Sequence, residues 1–268
     1  MKKLSILAIV VLVMLVTTLP AAAITGGELD GENHPNVGLM IADIDGEPQW
    51  RCTGTLIAPT VFLTAGHCVG DGATAARVWF KTDLSGMEDY PYGGIYAIEG
   101  TPIPHPDYLW EGSDPHDVGV VILDEPVDID PATLPTADLL GQLKKDRTLV
   151  GSYEESAYFR SVGYGGTLAS WPPPVLEYDR VRRVSESEYV ALTKTHLHLS
   201  QKAVFDESGS CFGDSGGPVF WVDPQGNEII AAVTSSGDGQ CVATGLNYRV
   251  DVPEILDWIL EQVELTEQ

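Results

Sequence analysis

The chain has 268 residues, 44% of them hydrophobic, enough for a well-filled core in one large domain or two small ones. Its 15 Lys and Arg stand against 39 Asp and Glu, a formal charge of −24. Nucleic acid and an anionic membrane surface would both repel such a chain, so neither is expected as a partner.

The first residues carry a targeting pattern. Lys2 and Lys3 precede an apolar, uncharged stretch from Leu4 to Leu19, and Ala21-Ala22-Ala23 then offers the small residues that signal peptidase requires. The stretch is short for a membrane span of roughly 20 residues. Residues 1–23 therefore read as an export signal and the mature protein as secreted.

Short apolar runs between turn residues follow. Val37–Ile44, Trp50–Ala58, Arg77–Phe80 and Val118–Leu123 are candidate strands in the first half. Tyr158–Tyr164, Leu176–Val184, His196–Ser200, Pro218–Val222, Ile229–Thr234 and Gly245–Val250 continue the series. So many short strands predict an all-β barrel or sandwich. Thr101–Pro106 and Trp171–Pro174 read as loops, because successive prolines remove ladder donors. At the end the period changes. Ile255, Leu256, Ile259, Leu260 and Val263 recur at helical spacing after Asp251, with Pro253 in the opening turn, so a single helix is expected to close the β protein.

Four cysteines in an exported chain suggest two disulfides, with three pairings open. Zinc is disfavoured because no Cys-x-x-Cys pair occurs. His196 and His198 would share one face of a strand, but no third ligand is evident, so no metal site is expected.

Three segments carry the chemistry: Leu63-Thr64-Ala65-Gly66-His67-Cys68, Asp117 at the start of the apolar run Val118–Leu123, and Gly213-Asp214-Ser215-Gly216-Gly217-Pro218. A serine hydroxyl is a poor nucleophile near neutral pH and needs a base within reach. An imidazole supplies that base, and a buried carboxylate fixes its tautomer and stabilises the imidazolium. Glycines around Ser215 let the backbone turn sharply and present N–H groups to an oxyanion. The Gly-x-Ser-x-Gly spacing also fits an α/β-hydrolase elbow, but there a histidine must follow the serine in the chain, and none follows Ser215. A subtilisin-like order would need an aspartate before His67 on an α/β fold, and regular strand–helix alternation is missing.

In type and in order, these segments resemble the signatures of the chymotrypsin-like (trypsin-fold) serine proteases, and Ile24-Thr25-Gly26-Gly27 is similar to that family's mature N-terminus. The resemblance covers essentially the whole mature chain. It implies two six-stranded antiparallel β-barrels, with the active site in the cleft between them and a C-terminal helix. The N-terminal barrel would span residues 24–137, and residues 138–268 would hold the second barrel and the helix. His67, Asp117 and Ser215 would form the catalytic triad, with the N–H groups of Gly213 and Ser215 as the oxyanion hole. Ile24 would pair with Asp214 once its α-amine is free. Cys52 would bridge to Cys68 and Cys211 to Cys241, each worth about 3–4 kcal/mol in the chain-entropy model.

Gly209, Ser235, Gly237 and Gly245 would shape the substrate pocket. Gly209 stands where trypsin-type members carry an aspartate, which implies that Arg and Lys are not the preferred side chains. Gly237 and Gly245 imply an open pocket for large apolar or aromatic ones, with Asp238 at the rim as the one feature favouring a basic group. The expected partners are protein or peptide substrates and protein inhibitors, for a chain acting as a monomer. The reaction needs no cofactor, although the acidic loop Asp83–Tyr92 leaves room for a structural calcium. A non-catalytic binding protein of the same fold is the rival reading, and retention of all three triad residues argues against it.

Overall fold

The computed structural model describes residues 24–109, 112, 114–150, 157–170, 175–202 and 207–267. The export signal over residues 1–23 and the loop Trp171–Pro174 lie outside these.

A first barrel is closed by β2 (Val37–Ile44), β3 (Glu47–Ala58), β4 (Val61–Thr64), β5 (Ala75–Trp79), β6 (Ile98–Pro104) and β7 (Gly119–Leu123), in the order β2-β3-β4-β7-β6-β5. A second six-stranded barrel is built from β8 (Tyr158–Gly163), β11 (Arg183–Leu192), β12 (His196–Ser200), β13 (Pro218–Val222), β14 (Glu228–Gly237) and β15 (Thr244–Arg249). It runs β11-β12-β15-β14-β13-β8, and pairing of β8 with β11 closes it. A two-residue strand, β1 (Glu28–Leu29), adds to β11, and β9 (Thr167–Ser170) pairs with β10 (Val175–Glu177) as a separate hairpin. All strand pairings within both barrels are antiparallel. Three helices complete the fold: α1 (Gly66–Val69), α2 (Leu139–Lys145) and α3 (Pro253–Thr266).

Several strands of the first barrel are buried on both faces, which is why they read as continuous apolar runs. In β2, Val37, Leu39 and Ile41 join a cluster with Tyr164, Phe220 and Val233 of the second barrel and with Ile255 and Ile259 of α3. The alternate residues Met40 and Ala42 join Phe62, Val78 and Val121 in a cluster of the first barrel. This two-residue alternation is the strand pleat distributing side chains to two cores.

The structure differs from the sequence expectations at three places. Pro102 and Pro104, expected in a loop, lie within β6 and pair with Val121 and Gly119. Strand β5 reaches only as far as Gly100, and the His105 N–H bonds to the Val118 carbonyl. The intervening prolines therefore point their missing donors to the side where no strand sits, as edge positions allow. The expected strand Leu176–Val184 is broken between β10 and β11. There the Asp179 carboxylate accepts the Val181 N–H, and Arg180 takes a left-handed φ of 62°. The third difference is α2, which was not expected. Asp251, seen in the sequence only as a residue before the last helix, accepts the Leu140 N–H at 2.7 Å and is held by Arg249.

Arg182 closes the break between β10 and β11. Its side chain is wholly buried. Its Nε donates to Asp30 at 2.7 Å, Nη1 to the Val37 carbonyl and the Tyr164 hydroxyl, and Nη2 to the Gly31 carbonyl and the Thr82 hydroxyl. Asp30 also binds the Nδ1 and backbone N–H of His34, whose Nε2 reaches Glu228 at 3.0 Å. Burial opposes charge on His34, but hydrogen bonds and charges from Asp30 and Glu228 outweigh it and push its pKa up to about 9.

Two predictions follow from this network. Replacing Arg182 by Met removes one partner of a buried ion pair, leaving Asp30 with His34 alone, and is expected to cost about 3–5 kcal/mol in urea unfolding. A histidine whose pKa rises on folding contributes stability in full below the unfolded value of about 6.5, and that contribution is lost as pH rises through about 9. Unfolding free energy should therefore fall between pH 6.5 and 9.5, and His34→Gln should flatten that slope.

Candidate active site

Strand β4 delivers the chain to the one-turn helix α1, where His67 stands, and the Cys52–Cys68 disulfide ties that turn to β3. Asp117 lies just before β7, after His116 with a φ of 47°. Ser215 sits on the turn between the Cys211–Cys241 disulfide and β13. Both bridges follow the expected pairing.

His67 Nδ1 lies 3.0 Å from each oxygen of Asp117, and the His67 backbone N–H donates to the same carboxylate at 2.9 Å. A carboxylate can only accept, so Nδ1 carries the proton, and in the neutral imidazole the lone pair is then on Nε2. The Ser235 hydroxyl donates to Asp117 at 2.5 Å. Burial would push the Asp117 carboxyl up, but His67 and Ser235 outweigh it and hold it below the usual carboxylate range. His67 and Ser215 line one cavity of about 330 Å³. A second cavity of about 280 Å³ adjoins His67, walled by Tyr108, Leu109, Pro115 and Leu246. A further cavity, about 670 Å³, lies against His34, Arg160 and Glu228, with neither His67 nor Ser215 in its lining.

Close backbone approach joins the nucleophile turn to the first barrel. A Cβ at Gly216, whose φ is 79°, would fall 2.0 Å from the Thr64 hydroxyl and 2.7 Å from the Ala65 nitrogen. Thr53 pins the same turn, donating its N–H to the Ser215 carbonyl and its hydroxyl to that of Gly213, both at 2.8 Å. The N–H groups of Asp214, Gly216 and Gly217 are bonded to Cys211, Thr234 and Asp214 carbonyls. Among the described residues no acceptor is assigned to the N–H groups of Gly213 and Ser215. These are the two donors an oxyanion would need.

Asp214 is fully buried and accepts N–H bonds from Gly165 at 2.7 Å and Cys211 at 2.8 Å. Burial pushes its carboxyl up to about 6 despite these donors. Ile24 is also fully buried, and Thr25 bonds through its hydroxyl and its carbonyl to Gly209. No direct Ile24–Asp214 contact occurs among the described hydrogen bonds and ion pairs.

Two of the glycines singled out in the sequence lie against one glutamine. A Cβ at Gly209 would fall 2.3 Å from the Gln201 Cβ, and one at Gly245 would fall 3.2 Å from the Gln201 Oε1. Gln201 therefore stands against both glycines and lines the cavity with Ser210, Phe212, Ser236, Gly237 and Asp238. Asp238 turns its carboxylate to the N–H groups of Val242, Ala243 and Thr244 and to Gln201. Sequence spacing does not mark Gln201. It also gives Ser235 a substrate-side role and misses its bond to Asp117. Beside Asp117 in the chain, His116 joins Asp107 and Glu254 in bringing one potential ligand atom each within 4.8 Å of one another, with the two carboxylate residues exposed to water.

The family model described as Trypsin matches residues 30–259. Lectizyme of Glossina austeni is 25% identical over 224 residues, covering 80% of this chain and 77% of the relative. Serine proteinase stubble of Drosophila melanogaster is 27% identical over 80% of this chain, which spans only 27% of that longer protein. The solved structure of HL collagenase superposes with a TM-score of 0.67 at 18% identity, covering 90% of this chain and 99% of the other, and so shows the shared fold. The chain belongs to the trypsin family and is a serine endopeptidase of the chymotrypsin/trypsin-like kind.

Ser235→Ala removes a hydrogen bond to a buried carboxylate, an interaction worth about 1.5–3 kcal/mol. Steady-state kinetics should show kcat lowered roughly 10- to 100-fold with the fold unchanged.

Proposed function

We propose that the protein is a secreted endopeptidase whose catalytic triad is His67, Asp117 and Ser215. The observation that carries this reading is the His67 Nδ1–Asp117 bond at the edge of the cavity that also exposes Ser215. Ser215 attacks a peptide carbonyl while His67 Nε2 accepts its proton and returns it to the leaving amine. Asp117 holds the imidazole and stabilises its charged form. The Gly213 and Ser215 N–H groups receive the oxyanion, and water then hydrolyses the acyl-enzyme by the same route in reverse. The triad draws on two units, residues 24–137 and 138–268. In support, the Ala132 N–H still bonds to Leu56 of the first barrel, whereas the Asp138 N–H bonds to Asp251 beyond the second. The lack of a carboxylate at Gly209 argues against Arg and Lys as preferred side chains.

Ser215→Ala should lose peptide hydrolysis by several orders of magnitude while melting like the parent. A serine-directed fluorophosphonate should label the parent and not the variant. Absence of labelling in the parent would favour the non-catalytic reading.

We further propose that export itself creates the active N-terminus, by cleavage after Ala23. A buried Asp214 held only by neutral donors loses folding stability as pH rises from about 3.9 towards about 6, because its carboxyl pKa is raised. The freed Ile24 ammonium would neutralise it. Pairing raises the amine's pKa above its free value of about 7.7–8.0, so its contribution is present below that value and lost as pH rises through the raised one. Intact mass of the active exported enzyme should begin at Ile24, and activity should decline in the alkaline range. An active species with another first residue would refute the proposal.

A further inference from the structure

We infer that Gln201 is the specificity-determining floor of the primary pocket, limiting it to uncharged side chains of medium length, such as leucine, methionine and glutamine. The inference rests on the triad reading, since it concerns the side chain that binds beside the bond Ser215 attacks.

Three observations carry it. The first is space. The base of the pocket, where Gly209 would leave depth, is filled by Gln201, because a Cβ at Gly209 would meet the Gln201 Cβ at 2.3 Å and its Oε1 at 2.4 Å. Gln201 is 3% exposed, its backbone N–H is held by the Ala243 carbonyl and its Nε2 donates to the Asp238 carboxylate at 3.4 Å, so both ends of the residue are held. An open pocket was expected from Gly237 and Gly245. The structure closes its lower end with this side chain, and long aromatic groups lose the depth they need.

The second observation is charge. Asp238, which lines the cavity, accepts the backbone N–H groups of Gln240, Val242, Ala243 and Thr244 and the Gln201 Nε2, and against the opposing effect of burial these donors draw its carboxyl below the usual range. Its acceptor positions are used within its own loop. An Arg or Lys side chain would be desolvated above a neutral carboxamide.

The third is polarity. Gln201 and Ser210 present a carboxamide and a hydroxyl at the floor. A neutral chain that ends at this surface needs no counter-ion, and a glutamine end can exchange hydrogen bonds with it.

The experiment measures kcat/KM on a peptide series differing only in the residue before the scissile bond (Leu, Met, Gln, Phe, Tyr, Arg, Lys), for the parent, Gln201→Ala and Gln201→Gly. Leu, Met and Gln should exceed Phe, Tyr, Arg and Lys in the parent by about tenfold or more. Gln201→Gly should reverse the ranking towards Phe and Tyr. Gln201→Ala keeps the Cβ and the local backbone, and should move in the same direction if the glycine variant folds poorly. Adding Gly209→Asp to Gln201→Gly should open Arg and Lys cleavage, whereas Gly209→Asp alone should not. A parent preference for Phe, Tyr, Arg or Lys, or an unchanged ranking in the folded Gln201 variants, would overturn the assignment. Fluorophosphonate titration of each protein separates this from failure of the triad reading, which would show as no labelling of the parent.

Discussion

A charged guanidinium buried between the two barrels and the N-terminal segment makes the rest of the arrangement possible. Arg182 reaches Asp30 and Gly31 in that segment, Val37 and Thr82 in the first barrel, and Tyr164 just beyond β8. Its burial is tolerable because each nitrogen has a partner. His67 and Asp117 stand on one barrel and Ser215 on the other, so their relative placement is only as firm as the contact between the barrels, which combines this network with the shared apolar cluster around Leu39, Tyr164 and Ile259. Tyr164 takes part in both, donating its hydroxyl to carbonyls of Val37 and Lys81.

The N-terminal segment also sets the pocket. Thr25 is bonded through two groups to Gly209, two residues before Cys211, and Cys211 donates its N–H to Asp214. Asp214 in turn receives the Gly165 N–H and stands next to Ser215. The segment at Thr25, the chain from Gly209 to Cys211 and the turn before Ser215 are thus joined through one connected run of hydrogen bonds. Thr25 supplies a hydroxyl to that run, and at its buried end burial raises the Asp214 carboxyl to about 6.

Much of this was legible in the sequence, for physical reasons that also mark the limit. Strands β2, β12 and β13 have the bounds that their apolar runs predict, because turn residues punctuate them sharply. Residues His67, Asp117 and Ser215 stand in contiguous signatures whose order excludes other hydrolase folds. Strand β11 was harder to see. Its buried positions include Ser185 and Ser187, small polar residues that hide the alternation. Strand β6 was masked by prolines that are harmless only because one neighbour stops short. Gln201 gives no local signal at all. It meets Gly209 and Gly245 only because β12 pairs with β15, bringing Ser200 opposite Thr244. Residues whose role depends on contacts across the sheet are not found by spacing along the chain.

The net charge raises a question that local structure answers. A chain at −24 would seem a poor host for an oxyanion. Charges on the surface are screened within a Debye length of about 8 Å at physiological salt, so only near neighbours matter. Close to the nucleophile turn stands Arg51, whose guanidinium lies over the Tyr178 ring at 4.8 Å. A Cβ at Gly213 would fall 3.0 Å from its Nε and Nη2, so the absence of a side chain there is what admits the cation. With φ at 97°, the same glycine turns the backbone in a conformation that L side chains rarely adopt. Arg51 also favours the charged form of Asp214, although less strongly than burial opposes it. A fixed positive charge at this range favours negative charge developing beside Gly213, and it does so in surroundings less polar than water. Glycine at 213 thus serves twice, by turning the backbone two residues before Ser215 and by letting a cation come near it.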